Sequence, residues 1–161
     1  MNPDLHDADS TGKFFDEYLT EHGLRKSTVR KVILEHICRI RGYFDVDMLH
    51  GMLEADNFHV SKASIYNAIE LLMNACLVVR HQFTTQVVYY ELKSAAAGHL
   101  HAVCRCCGSV KEIRSDRVAR LMTDLKIAKF SPEYGSMYIY GICSKCKYRL
   151  AHAKRQKNKQ I

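Results

Sequence analysis

The sequence predicts an α+β protein. An N-terminal winged-helix domain is followed by a smaller α/β domain built around a Cys₄ zinc site. Three observations lead there. Four helical patterns are followed by two β-like runs joined by a short polar turn. Two Cys-x-x-Cys pairs lie in the second half. The chain has 161 residues, 47% of them apolar, enough to form one ordinary domain or two small ones.

Residues 1–12 are polar and read as a disordered arm. A first helix is predicted over residues 13–22, with Phe14, Phe15, Tyr18 and Leu19 on one face, and Gly23 ends it. Ser27 and Thr28 are candidate caps for a second helix, whose apolar stripe is Val29, Ile33, Ile37 and Ile40. A third fits residues 46–55, with Met48, Leu49, Met52 and Leu53 facing inward. Ser61 caps a fourth, SKASIYNAIELLMNA, which buries Ile65, Ala68, Ile69, Leu72 and Met73. Lys62, Ser64, Tyr66, Asn67 and Glu70 are left outside.

CLVVRHQF and VVYYEL then alternate as strands across the turn Thr84–Thr85–Gln86. Helices followed by a two-stranded wing make a winged-helix domain over residues 13–92, with the fourth helix as its recognition element. KSAAAG, residues 93–98, is a hinge by composition. The second domain spans residues 99–150. Its strands HLHAV and SVKEI flank the first Cys pair, and Ser115 caps a helix from Asp116 to about Lys129. Ser131–Pro132 breaks the chain, and MYIYGI leads into the second pair. A basic tail, residues 151–161, closes the chain and reads as frayed.

The cysteines carry the strongest chemical signal. Cys104-x₂-Cys107 and Cys143-x₂-Cys146 are separated by 35 residues. A two-residue gap lets both thiolates of a pair reach one ion, and Gly108 permits the tight turn this needs. Two such pairs supply the four soft ligands of a closed, structural Zn²⁺ site. Disulfides and free thiols are the alternatives. Cys106 could substitute for one ligand of the first pair, though Cys104 and Cys107 have the better spacing. Cys38 and Cys76 sit in apolar surroundings and read as small core residues.

Several classes are excluded. No apolar run approaches the length of a membrane span. The polar start MNPDLHDADSTGKFF lacks the pattern of a secretory signal, so a cytoplasmic protein is expected. A zinc enzyme needs an open coordination position beside a general base, and four thiolates leave none. The net charge of +7 suggests a polyanionic partner. It is unevenly spread: residues 1–92 carry a net −4 and residues 93–161 a net +11.

The element order, ASIYNAIELLMNACLV, the wing ending in YYEL, HLHAVCRCCGSVKEI and the late IYGICSKC together resemble the ferric uptake regulator family over about residues 13–148. The resemblance implies a homodimeric, metal-responsive transcription factor that binds double-stranded operator DNA. Its second domain would serve dimerisation. The structural zinc of the family maps onto Cys104, Cys107, Cys143 and Cys146. The family's regulatory metal (Fe²⁺, Mn²⁺ or Zn²⁺) lies between the two domains. Its ligands map onto Glu91, His99, His101 and Glu112. The remaining family ligand, a His of the DNA-binding domain, falls at Tyr43, beside Phe44. A neutral tyrosine is a poor ligand for such ions, because its pKa near ~10 keeps it protonated. A further His- and acid-rich site of some members is eroded, with Gly98 and Leu100 at ligand positions.

The structural alternative for His99 and His101 is two solvent-facing side chains on one face of a strand. Haem is an alternative ligand, suggested by the lost His and the surplus of Cys, His and Tyr side chains. The family's recognition helix carries Tyr–Arg where this chain has Tyr66–Asn67. Asn suits adenine where Arg suits guanine, so base preference is expected to differ. Candidate phosphate contacts are Lys13, Arg25, Lys26, Arg30, Lys31, Lys62 and Arg80, at helix starts and in the wing. The alternative is a solvated basic face. The basic tail either adds non-specific attraction to DNA or only solubilises. A zinc-stabilised protein-interaction module without a DNA role is the remaining reading.

Overall fold

In the computed structural model, residues 8–84, 87–96, 98–132 and 134–157 are described. The chain divides into two compact units, one of Met1–Ala97 with Lys129–Tyr134 and the other of Gly98–Ala128 with Gly135–Ile161.

The first unit opens with four helices: α1 (Ala8–Glu21), α2 (Thr28–Arg39), α3 (Val46–Ala55) and α4 (Lys62–Asn74). α1 starts five residues before the expected Lys13, so residues 8–12 are helical where an arm was expected; residues 1–7 lie outside the described residues. Gly23, at φ +65, provides the left-handed turn that ends α1. Asp45 caps α3 by accepting from the Met48 N–H at 2.8 Å. Ser61 caps α4 by accepting from the Ser64 N–H at 3.2 Å. Ser27 stands at the N-cap of α2 without a side-chain cap bond.

The α4 stripe Ile65, Ala68, Ile69 and Leu72 is buried against Ile33, Ile37, Leu49 and Leu53. Each such side chain contributes about 1.5–3 kcal/mol of burial free energy before entropy is counted. Met48 departs from the expectation of an inward side chain, at 48% exposure. The buried stripe of α3 is Val46, Leu49 and Leu53, and Met48 lies about 100° off Leu49.

The wing follows as β1 (Val78–His81) antiparallel to β2 (Tyr89–Leu92), with Val79 opposite Glu91 and His81 opposite Tyr89. Of its turn, Thr85 and Gln86 lie outside the described residues. Phe44 adds a short antiparallel bridge to Tyr90, with backbone bonds of 2.8 and 2.7 Å. A four-residue helix α5 (Lys93–Ala96) occupies most of the expected hinge.

The second unit is a three-stranded sheet of order β4-β3-β5, with two helices. β3 (His99–Cys104) pairs antiparallel with β4 (Val110–Arg114) and parallel with β5 (Tyr138–Gly141). Between them, α6 spans Asp116–Asp124, shorter than the helix expected to reach Lys129. Lys129 has φ 59, a left-handed conformation that no right-handed helix contains. α7 (Ser144–Lys157) carries the basic tail as helix where fraying was expected; residues 158–161 lie outside the described residues. Among the described residues no helix is long and apolar enough to cross a membrane.

Candidate metal centres and nucleic-acid face

The four cysteines converge inside the second unit. Cys104 ends β3, and Gly108 at φ 71 turns the chain back into β4, its N–H donating to the Cys104 carbonyl at 2.9 Å. The parallel register sets Cys104 beside Gly141, so Cys143 emerges two residues further on. Cys146 follows in the first turn of α7. All four Sγ atoms lie within 4.8 Å of one another.

Two sulfurs about 2.3 Å from one tetrahedral zinc lie about 3.8 Å apart, and Cys107 Sγ is 3.8 Å from Cys143 Sγ. An S–S bond is about 2.05 Å, so this spacing suits a shared ion and not a disulfide. Cys106 is exposed and outside the group, and Cys38 packs against the helical core.

The thiols are electrostatically unequal. The Cys143 N–H, and after it the Cys107 N–H, hold Cys104 down at about 6. The Ser109 hydroxyl, 3.2 Å away, chiefly lowers Cys107. Cys143 is raised: the Cys146 N–H opposes the shift, but burial and the neighbouring thiols outweigh it. Cys146 is raised as well, although Arg149 Nη2 donates to its Sγ at 3.0 Å and pulls the other way. Four thiolates crowded together repel one another. A dication removes that repulsion, so the donor set fits zinc.

A second donor group lies in the same unit. His99 and His101 share a face of β3, and their Nε2 atoms are 3.3 Å apart. They are 5% and 2% exposed, which removes the solvent-facing alternative. Glu112 stands opposite His101 on β4, and its Oε1 lies 3.7 Å from the other ring nitrogen of His99, Nδ1. Arg114 Nε also donates to that oxygen at 3.2 Å. Two nitrogens about 2.0–2.1 Å from one ion lie about 3.3 Å apart at a tetrahedral angle. The imidazole pair therefore fits a divalent cation.

Glu91 belongs to the first unit, on β2. It has a partner that the sequence reading passed over. His81 on β1 brings Nε2 to 3.1 Å from Glu91 Oε2, and both side chains are fully buried. His81 and Glu91 are diagonal neighbours on one face of the wing, a relation visible only once the hairpin register is known. Tyr43 packs its ring edge-on to Phe83 and Tyr89, at centroid distances of 5.2 and 5.3 Å. Phe83 in turn stacks on His81.

The expected DNA-contact residues all lie in the first unit. Lys13, Lys26, Arg30 and Lys31 line one groove of about 470 Å³ along α1 and the start of α2. Arg30 donates to the Arg25 carbonyl at 2.6 Å, and Lys26 pairs with Asp16 at 3.5 Å. On α4, Tyr66 and Asn67 are exposed, Tyr66 at 53%. Ser64 is half-buried with its hydroxyl 3.0 Å from that of Ser61, engaged in the cap. Lys62 is bonded to Asp47, first by hydrogen bond and then by charge; this raises the lysine and lowers the aspartate. Arg80 points outward from β1.

Residues 21–140 match the family model described as the Ferric uptake regulator family. A peroxide operon regulator of Bacillus subtilis is 24% identical over 84% of this chain and 93% of its own length. A ferric uptake regulation protein of Neisseria meningitidis is 27% identical over 80% of this chain and 90% of its own. The fold is similar to that of a ferric uptake regulator from Pseudomonas aeruginosa solved with manganese. That match has TM-score 0.65 and 22% identity, and covers 80% of this chain and 97% of that one. The Helicobacter pylori ferric uptake regulator, solved with three functional metal binding sites, gives TM-score 0.67 at 16% identity over 88% and 94% of the two chains.

Proposed function

The chain belongs to the Ferric uptake regulator family, and on that footing we propose that it is a homodimeric regulator whose affinity for operator DNA is set by a second, exchangeable divalent metal. Members are metal-responsive DNA-binding transcription regulators and not enzymes. In this reading Cys104, Cys107, Cys143 and Cys146 hold a structural zinc that cross-links the β3–β4 turn to the start of α7. Zinc there supplies folding energy, and no position is left for a substrate.

His99, His101 and Glu112 contribute to the responsive metal, with Glu91 added from the family pattern. A bound metal biases a conformational equilibrium only by its differential affinity for two arrangements. Tyr66 and Asn67 read bases from α4. The groove cations Lys13, Lys26, Arg30 and Lys31, with Arg25, Lys62 and Arg80, meet phosphates. Exposed Leu121, Ile139, Tyr140 and Ile142 support a dimer through the second unit, where apolar surface is otherwise costly. DNA as the partner makes the cytoplasm the working compartment. No observation supports haem, and the imidazole–carboxylate donors suit a divalent ion better.

The observation that carries the reading is the 3.3 Å spacing of two buried imidazole nitrogens on β3. The test uses zinc-loaded full-length protein and a duplex selected from random DNA in the presence of Mn²⁺. Affinity for that duplex is expected to rise with Mn²⁺, and the joint substitution Glu91→Ala, His99→Ala and His101→Ala should abolish the rise. An unchanged Mn²⁺ response in that variant rejects the assignment. Failure to select any duplex favours the interaction module.

A further inference from the structure

We propose that α7, the basic helix of the second unit, is a second DNA-binding element that grips phosphates without reading sequence. The inference rests on the reading of the chain as a DNA-binding regulator and adds to it an element outside the first unit.

The first argument is charge. Residues 134–161 hold seven Lys or Arg and no Asp or Glu. The helix Ser144–Lys157 therefore cannot form an ion pair within itself. Lys145 and Arg149 stand one turn apart, a like-charge pair that costs helix stability. A polyanion lying along the helix replaces that repulsion by attraction.

The second argument is position. The zinc site accounts for only part of this charge. Arg149 donates to Cys146 Sγ at 3.0 Å, and Lys145 and Lys147 flank that ligand in the first turn of α7. These three lie beside the negative charge of the thiolates. Lys154 is about 12 Å beyond Cys146 along the helix axis, at about 1.5 Å per residue. That exceeds the ~8 Å screening length of physiological salt. Lys154, Arg155 and Lys157 thus have no thiolate to offset.

The third argument is the surface. Cys146 is buried, and from Lys147 to Ala153 every side chain of α7 is exposed. The large apolar side chains among them are Tyr148 and Leu150, at 66% and 49% exposure. Two residues apart, they stand about 160° apart around the helix. α7 therefore has no apolar face with which to lie in a lipid surface or to form the dry core of a protein interface. A duplex needs no such face, because its phosphates, one charge per about 1.7 Å of axis, are met by cations alone. Tyr148 packs against His152 at 4.2 Å, and both side chains can donate to phosphate oxygens.

The experiment measures binding of zinc-loaded full-length protein to two duplexes across a range of salt, with Mn²⁺ present. One duplex is selected from random DNA and the other is its scrambled sequence. The neutralised variant carries Lys154→Gln, Arg155→Gln and Lys157→Gln, away from the zinc ligands. A charge-conserving variant carries Lys154→Arg and Lys157→Arg. The neutralised variant is expected to lose about tenfold or more in affinity for both duplexes alike. Its salt slope should fall by about one for each cation that meets a phosphate. The ratio between the two duplexes should hold, because phosphate contacts carry no sequence information. The charge-conserving variant should bind as the unaltered chain does, and zinc content should be equal in all three. Equal affinity and slope in the neutralised variant overturn the proposal and leave the DNA-binding reading intact. An equal loss in the charge-conserving variant, or a loss confined to the selected duplex, overturns it too. An unchanged slope with an altered dimer dissociation constant assigns α7 to protein contacts instead. If the unaltered chain binds neither duplex, both readings fall.

Discussion

Arg149 donates to Cys146 Sγ at 3.0 Å from one turn further along α7. Four thiolates around Zn²⁺ carry a net charge of −2, and a guanidinium at that distance offsets part of it. Arg149→Ala is therefore expected to speed zinc loss to a chelator severalfold with the fold otherwise intact; an unchanged rate would reduce Arg149 to a surface residue. The thiols also set a pH dependence. Cys143 and Cys146 are raised above the ordinary thiol value, so zinc uptake must expel their protons, whereas Cys104 at about 6 is already ionised at neutral pH. Apparent zinc affinity should then rise as pH climbs through the neutral range. A pH-independent affinity measured by competition would contradict this. Asp47 offers a third residue-scale test, because its bond occupies the Lys62 ammonium. Asp47→Asn should tighten DNA binding and steepen its salt dependence by about one ion released. Equal affinity and slope would remove Lys62 from the DNA face.

At the scale of elements, α4 joins the core to the proposed recognition surface. Leu72 has no exposed surface on its inner face, while Tyr66 and Asn67 stand on the outer one. Leu72→Ala should cost about 2–5 kcal/mol in chemical unfolding of the first unit, through lost contacts and a cavity. A loss below 1 kcal/mol would mean that the stripe is not the core. This helix was legible in the sequence, because its apolar period and its Ser61 cap point the same way, although Met73, expected in the buried stripe, and Ser64, expected outside, are both half-buried. Other elements were read only in part, for identifiable reasons. The first turn of α1 is built from Ala8, Asp9, Ser10 and Thr11, and a search for apolar periodicity does not register a polar turn. The end of α6 falls at Leu125, whose backbone is extended although its side chain suits a helix, so composition does not announce the stop. The Cys₄ group was legible because its spacing is its chemistry. The His81–Glu91 pair was not, because it exists only in one register of the hairpin.

At the scale of the whole molecule, the first 92 residues are net acidic and the remainder net basic, so net charge alone points away from the proposed DNA face. The contact candidates are local clusters in the net-negative half. The second unit leaves Ile139, Tyr140 and Ile142 exposed on and beyond β5, and a dimer built there buries them. Family membership, two metal groups of different softness and this apolar surface meet in one claim: a dimer with a fixed zinc and an exchangeable second metal in each chain. Native mass spectrometry of the full-length protein, before and after Mn²⁺, tests it most directly. The account predicts a dimer that keeps one zinc per chain through chelation and gains one manganese per chain on addition. A folded, zinc-free monomer that takes up no manganese would contradict it.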